Sequence, residues 1–183
     1  VRTNDGDMQK YHGTFSIGLL TSKINLEGPI IKRKTSFNIS ARRSYLDLLA
    51  KPFMPDDEKY SYYFYDMNAK INHKFSDRSR MFLSAYHGKD HFAADYDGNT
   101  DFKDGSNMGW GNTIVSARWN YIFNNRLFSN TTVSYNNYLF DVNTYTNNQY
   151  STGAGAIILN RYSSNYHSGI TDWSYQIDFD YNP

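Results

Sequence analysis

The final part of the chain, Thr171–Tyr181 (TDWSYQIDFDY), carries the clearest structural pattern in the sequence. From Trp173 onward every odd position is apolar or aromatic and every even position is polar. A repeat of two residues places the two classes of side chain on opposite faces of an extended strand. The stretch therefore predicts a β-strand with one dry face and one wet face.

The same alternation recurs upstream and divides the chain into eight predicted strands. These strands cover residues 13–19, 22–28, 36–45, 63–75, 80–86, 113–123, 127–135 and 171–181. The segments 63–75 and 113–123 reach the length of about 9–11 residues that a tilted transmembrane strand needs. The sequence therefore predicts an all-β fold, an antiparallel meander of about eight strands that forms part of a transmembrane β-barrel.

The predicted connections between these strands alternate in length. Short turns are predicted at 28–34, 76–79 and 124–126, and long loops at 47–59, 88–112 and 140–168. Only the first tight turn, near Leu20, lies on the side of the long loops. Short turns on one side and long loops on the other are typical of outer-membrane barrels. A soluble meander or sandwich explains the strands equally well but the loop lengths less well.

The composition agrees with strands that have two different faces. Aromatic residues make up 17% of the 183 residues, yet the mean hydropathy is only −0.71. A barrel with a polar interior, a lipid-facing exterior and aromatic girdles combines these two properties. The net charge of +1 disfavours a nucleic-acid partner. The absence of cysteine excludes disulfides, zinc–thiolate sites and thiol catalysis.

Two stretches near the start resemble a known family. Residues 13–30 (GTFSIGLLTSKINLEGPI) and 36–49 (SFNISARRSYLDLL) resemble the start of the barrel in TonB-dependent outer-membrane receptors, especially those of Bacteroidetes. The opening VRTNDGD resembles the tail of the last strand of the plug domain in that family. The resemblance implies that residues 1–12 are this plug tail. Residues 13–183 are then the first eight strands of a barrel of about 22 strands.

The resemblance also implies a location and a set of partners. The location is the bacterial outer membrane, and the function is nutrient uptake by the parent protein. The implied partners are outer-membrane lipid, the plug domain and remaining barrel of the parent, TonB, and a small nutrient ligand that the sequence does not define. We expect no enzymatic activity and no catalytic residues, because the matching motifs are structural. Two alternatives stay open: a self-contained eight-stranded outer-membrane barrel with a structural or adhesive role, and a soluble carbohydrate-binding β-domain.

The long predicted loops are rich in aromatic and amide side chains. Such surfaces suit ligands that combine stacking with hydrogen bonds. Tyr96, Trp110 and Tyr145 are the candidate substrate contacts, although the same composition also packs loops against one another. Arg42 and Arg118 fall on the polar side of their strands and are expected to point into the lumen, towards the plug or an anionic solute, or to serve a structural role.

One of these loops contains a candidate calcium site. Oxygen-bearing side chains occupy alternate positions, as at positions 1, 3, 5 and 7 of a calcium loop: Asp95, Asp97, Asn99 and Asp101. Gly98 lies at position 4 where the motif has glycine at position 6, and Ser106 stands where a bidentate glutamate is expected. Turn-rich loops contain the same residues for conformational reasons. Calcium is therefore a candidate cofactor, with an ordinary loop as the alternative.

Overall fold

The computed structural model describes residues 4–97, 102–151 and 157–182, which form one antiparallel sheet of eight strands in chain order. The strands are β1 (His12–Ile17), β2 (Thr21–Ile31), β3 (Thr35–Ser44), β4 (Glu58–Ser76), β5 (Ser79–Asp97), β6 (Phe102–Asn124), β7 (Leu127–Ser151) and β8 (Ile157–Tyr181). A short α-helix, α1 (Leu46–Ala50), and a 3₁₀ turn (Lys51–Phe53) lie between β3 and β4. Within the described ranges, no helix is long and apolar enough to cross a membrane.

The predicted all-β antiparallel meander is confirmed. Each strand pairs with the next one along the chain, so that β1 and β8 are the two edges of an open sheet. The tight turns predicted near Leu20, at 76–79 and at 124–126 are present, and the 47–59 segment is the connection that carries α1. Closure of the sheet into a barrel stays a prediction.

Two of the predicted long loops are wrong. Residues 88–97 and 102–112 extend β5 and β6, and residues 140–151 and 157–168 extend β7 and β8. The pairing continues through them without a break, with Trp110 opposite Phe140, for example. In these segments the apolar residues move from odd to even positions. A strand that is traced by apolar residues at odd positions alone therefore ends too early.

The pairing register defines two faces of the sheet, because residues directly opposite each other in an antiparallel pair point to the same side. We call one of them the band face, since it carries an apolar band, and the other the second face. The band face holds the even residues of β2 and the odd residues of the other strands. One register row across it reads Leu83, Ala117, Val133 and Tyr175.

The long strands have two parts with different surroundings. The turn half lies next to the tight turns at 77–78 and 125–126. In β5–β8 it comprises residues 79–86, 113–124, 127–136 and 171–181, and the register continues it into β3 and β4. The far half comprises residues 88–97, 102–112, 138–151 and 157–170. In the turn half the band face is predominantly apolar, and in β8 its apolar run covers the nine residues from Trp173 to Tyr181.

The second face of the turn half is mostly polar and is partly covered by the start of the chain. Residues Asn4–Met8 cross it near β3 and β4, where the hydroxyl of Ser36 donates to the carbonyl oxygen of Asp5 at 2.8 Å. The ammonium group of Lys70 forms an ion pair with the Asp5 carboxylate. Phe82, also on this face, is the one buried hydrophobic side chain among the described residues. A single sheet with so little apolar burial leaves the band face exposed.

Candidate functional site

The polarity of both faces reverses between the turn half and the far half. Strand β8 gives the clearest case, because the odd positions of Arg161–Thr171 are polar or glycine, whereas those of Trp173–Tyr181 are apolar or aromatic. On the even positions the order is opposite, with Tyr166 and Ile170 in the far half and Asp172 and Ser174 in the turn half. The reversal creates an aromatic surface on the second face of the far half.

This aromatic surface spans two neighbouring register rows across five strands. Its rings are Phe64, Phe92, Trp110, Phe140 and Tyr166. Trp110 lies directly opposite Phe140 across the β6–β7 pair. Phe140 meets Tyr166 edge-on, with 6.2 Å between ring centroids and 68° between the ring planes. Contacts of this geometry are favourable because the positive edge of one ring meets the negative face of the other.

Charged side chains are interleaved with the rings of the aromatic surface. Asp90 lies between Phe64 and Trp110 in the register and accepts a hydrogen bond from the Tyr62 hydroxyl at 2.9 Å. The Arg42 guanidinium stacks on Phe64 at 5.0 Å from the ring centroid and donates to the Asp66 carboxylate from Nε at 2.7 Å. Aromatic faces next to fixed acceptors and donors suit a ligand with both apolar faces and hydroxyl or amide groups.

The structure does not bring the three predicted substrate contacts together. Tyr96 and Trp110 both lie on the second face, but Tyr96 is near the end of β5, where its ring meets Phe102 at a centroid distance of 6.0 Å. Trp110 lies opposite Asp90, six residues further along β5, which is about 20 Å at about 3.3 Å per residue. Tyr145 points to the band face. Trp110 alone belongs to the aromatic surface.

Tyr145 and Asp95 form a cross-strand pair over a glycine. Gly105 lies opposite both residues in the register, and a Cβ atom at that position would overlap the Tyr145 ring. The Tyr145 hydroxyl donates to Asp95 Oδ1 at 3.1 Å. Burial first, and then this hydrogen bond to a carboxylate, raise the pKa of the Tyr145 hydroxyl. The tyrosine is therefore a neutral donor at physiological pH, in a role that positions β5, β6 and β7.

The candidate calcium ligands do not form a metal centre within the described ranges. Asp95 accepts from Tyr145, and the Asp97 carboxylate forms an ion pair with Lys103 at 3.2 Å. Asn99 and Asp101 lie outside the described residues. In the part of the chain that the structure describes, no group of three acidic or histidine side chains is placed to hold a metal ion. Calcium binding stays a prediction, and the described side chains add no support to it.

Two histidines, His87 and His91, lie on the band face of β5. His87 Nδ1 is 2.9 Å from the Thr113 hydroxyl, and the His91 ring is 4.9 Å from the Tyr63 ring. Arg42 and Arg118 lie on the second face, as their parity predicts.

Sequence reasoning identified Trp110 but did not find the aromatic surface around it. Phe64, Phe92 and Phe140 were not recognised as one set, although each lies at the same parity as Trp110. The signal that was available is a second run of alternation in the opposite phase, directly beyond the first. Comparison with protein-family models, with curated proteins and with solved structures finds no match to this chain.

Proposed function

We propose that the chain forms the N-terminal part of the barrel wall of a TonB-dependent receptor in the bacterial outer membrane, which takes up a small nutrient. In this proposal the band face contacts lipid and the second face lines the lumen. The plug and the remaining strands belong to the parent protein, and TonB acts through that parent. The proposal combines the resemblance of residues 13–30 and 36–49 to that family with the distribution of apolar side chains on the sheet.

The apolar band is the observation that carries the proposal. It occupies one face only, and its nine-residue run in β8 agrees with the length of about 9–11 residues that a tilted strand needs to cross a bilayer. Its side chains are exposed over strand after strand, as with Ile71, Leu83 and Trp173. Apolar patches of this extent on a soluble protein call for a covering partner. Lipid provides such a partner.

The band also runs diagonally across the register, as expected for tilted strands. The register row that starts at Ile17 in β1 continues through Tyr65 and Lys89 and ends at Gly169 in β8. The apolar run of β8 begins only at Trp173, four residues nearer the turn edge. Strands of a membrane barrel tilt by about 35–45°, so that a band parallel to the bilayer must shift in register from strand to strand.

The second face supports the lumen assignment in both halves. In the turn half it carries hydrogen-bonded polar pairs, such as Ser84 with Ser116 at 2.8 Å and Ser134 with Ser174 at 2.6 Å. Residues Asn4–Met8 lie on it, which agrees with the expected position of a plug tail. In the far half the aromatic surface would lie beyond the bilayer, inside the mouth of the barrel, and contact the nutrient.

Single cysteine residues test the proposal cleanly, because the chain contains no cysteine of its own. Val115→Cys and Ser116→Cys are neighbours on β6 that point to opposite faces. After the chain is folded into phospholipid vesicles and spin-labelled, we expect the label at 115 to be relaxed by oxygen, which concentrates in lipid. We expect the label at 116 to be relaxed by a water-soluble nickel complex instead.

The outcomes separate the proposal from its alternatives. A chain that is monodisperse without detergent and shields the label at 115 from both reagents is a soluble domain, and the membrane proposal fails. Labels at Ser16 and Ser174 separate the two membrane proposals. In a closed eight-stranded barrel β1 and β8 are neighbours at about 5 Å, and the two labels broaden each other's spectra. In the wall of a wider barrel they stay far apart.

A further inference from the structure

A cavity of about 590 Å³ lies on the second face at the turn edge, between the start of the chain and the tight turn that joins β4 to β5. We call it the basic basin. Its walls include Met8, Arg33, Lys74, Arg78, Arg80 and Phe82. It is separate from the aromatic surface, which lies in the far half of the sheet.

The walls of the basic basin carry an excess of positive charge. Four of the lining side chains are cationic, and Asp77 is the one carboxylate among them. Asp77 is itself in an ion pair with Lys74. The remaining cations repel one another, and such repulsion costs free energy unless an anion lies between them.

Three cations surround one aromatic ring at the floor of the basin. The charged groups of Lys70, Arg80 and Arg118 lie 5.3, 5.5 and 4.6 Å from the centroid of the Phe82 ring. Each contact is favourable, since the ring face is negative. The ring does not neutralise the charges, however. The three like charges surround Phe82, whose side chain is only 7% exposed.

One of these three cations already has its counter-charge. Lys70 pairs with Asp5, which lies on the segment that crosses the second face. Two backbone contacts hold that segment, the Ser36 hydroxyl on the Asp5 carbonyl at 2.8 Å and the Arg33 N–H on the Met8 carbonyl at 3.0 Å. The sheet thus binds an acidic peptide segment here, by one ion pair and main-chain hydrogen bonds.

The other two cations lack such a partner in the described part of the chain. Neither Arg80 nor Arg118 forms an ion pair there. Arg80 has its Nη2 against the Met8 sulfur at 3.8 Å, and its buried Nε has no acceptor. A guanidinium group has five donors in a planar arrangement that matches a carboxylate, so an unpaired buried N–H marks an unused binding group.

We propose that the basic basin binds a second acidic peptide segment, which lies beside residues Asn4–Gln9 and pairs its carboxylates with Arg80 and Arg118. A peptide fits better than a single inorganic anion because separate cations line the basin and Arg118 adds another beside the Phe82 ring. Phe82 and Ile122 also add apolar contacts. The proposal depends on the charges of the basin and does not require the membrane location.

The test uses the full chain and a fluorescent hexapeptide of alternating aspartate and glycine, with binding followed by fluorescence anisotropy. The test variant is Arg80→Gln with Arg118→Gln. The matched control is Arg42→Gln, because Arg42 lies on the same face and also stacks on a phenylalanine, but is already paired with Asp66. We expect the double variant to bind at least about tenfold more weakly, and the control within about twofold of the wild type.

Further measurements test whether charge drives the binding and whether a peptide is the ligand. The asparagine version of the peptide should bind at least about tenfold more weakly, and added salt should weaken the aspartate peptide, since both effects follow from charge. Equal binding by wild type and double variant overturns the proposal, as does displacement of the peptide by an equal concentration of inorganic phosphate, which would identify an oxyanion site. If the double variant does not fold, Arg118→Gln alone, at an exposed position, must show the loss.

Discussion

The turn half and the far half of the sheet are built from the same strands but carry opposite side chains on each face. In the turn half the band face is apolar and the second face is polar, with Val133 and Ser134 as neighbours of opposite type on β7. In the far half the band face carries Asn143, and the second face carries Phe140 and Val142. One β-strand can therefore pass through two environments, and the phase of its alternation marks the border between them.

The two halves differ in the environment that suits the side chains of the band face. Side chains of the band face in the turn half are exposed and apolar, which is favourable only against an apolar partner. Most side chains of the band face in the far half are polar or glycine and are suited to water, with Leu139, Ile157 and Leu159 among the apolar exceptions. The pairing of the backbone is continuous through both halves. Main-chain hydrogen bonds thus give the sheet its length, and the side chains alone define where each environment begins.

The largest expected effect comes from placing a charge in the apolar band. Val133→Arg and Asn143→Arg are matched, since both lie on the band face of β7, ten residues apart, and both are exposed. In lipid vesicles we expect Val133→Arg to lower the free energy of unfolding by about 2–4 kcal/mol. We expect Asn143→Arg to change it by less than about 0.5 kcal/mol. Equilibrium urea unfolding measures both values.

Equal costs at the two positions would contradict the comparison between the halves. Large losses at both would mean that the far half is also covered by an apolar partner. Small changes at both would mean that the band faces water, and the proposed membrane location would then fail. Ser134→Arg, next to Val133 but on the second face, shows whether the effect follows the face rather than the strand.

A smaller effect is expected where the start of the chain covers the second face of the turn half. Gly6 has a positive φ of 79°, and a Cβ atom there would overlap the carbonyl oxygen of Phe37. We expect Gly6→Ala to cost about 1–3 kcal/mol locally and to release residues Asn4–Met8 from the sheet. Faster amide exchange at Ser36 and Phe37 would report the release. Gly18→Ala, where the nearest atom lies at 3.4 Å, is the control and should change little.

Much of the turn half could be predicted from the sequence. Alternation is strict from Trp173 to Tyr181 and is interrupted only near the ends of residues 113–123, because each face there meets largely one environment. The tight turns also follow from local sequence, as at Asn124, whose side chain accepts from the N–H groups of Arg126 and Leu127 at 2.9 and 3.0 Å. Local signals of this kind do not depend on distant parts of the chain.

The far half and the aromatic surface could not be predicted in the same way. Residues 88–112 and 140–168 are rich in Asn, Asp, Gly and Tyr, which are typical of loops when read one by one. Cross-strand pairing gives the described residues of these segments, 88–97, 102–112, 140–151 and 157–168, their extended form. Gly105, for example, is covered by Tyr145, 40 residues later in the chain. Tyr96, Trp110 and Tyr145 were grouped by composition, whereas the register assigns Tyr145 to the other face.

The smallest expected effect lies at this cross-strand pair and depends on pH. The pKa of Tyr145 is raised by burial and by its bond to Asp95, so the folded state favours the neutral phenol. Its contribution to stability is therefore present below about pH 10, where an ordinary tyrosine titrates, and is lost as the pH rises through the raised pKa. Tyr145→Phe should lower the free energy of unfolding by less than about 1 kcal/mol at pH 8.

The difference in unfolding free energy between wild type and variant should stay constant up to about pH 9 and shrink above about pH 10, as measured by urea unfolding at each pH. A difference that grows at alkaline pH would mean that the hydroxyl does not donate to Asp95. If it does donate, Asp95→Asn should reduce the pH dependence and leave the larger part, which burial causes.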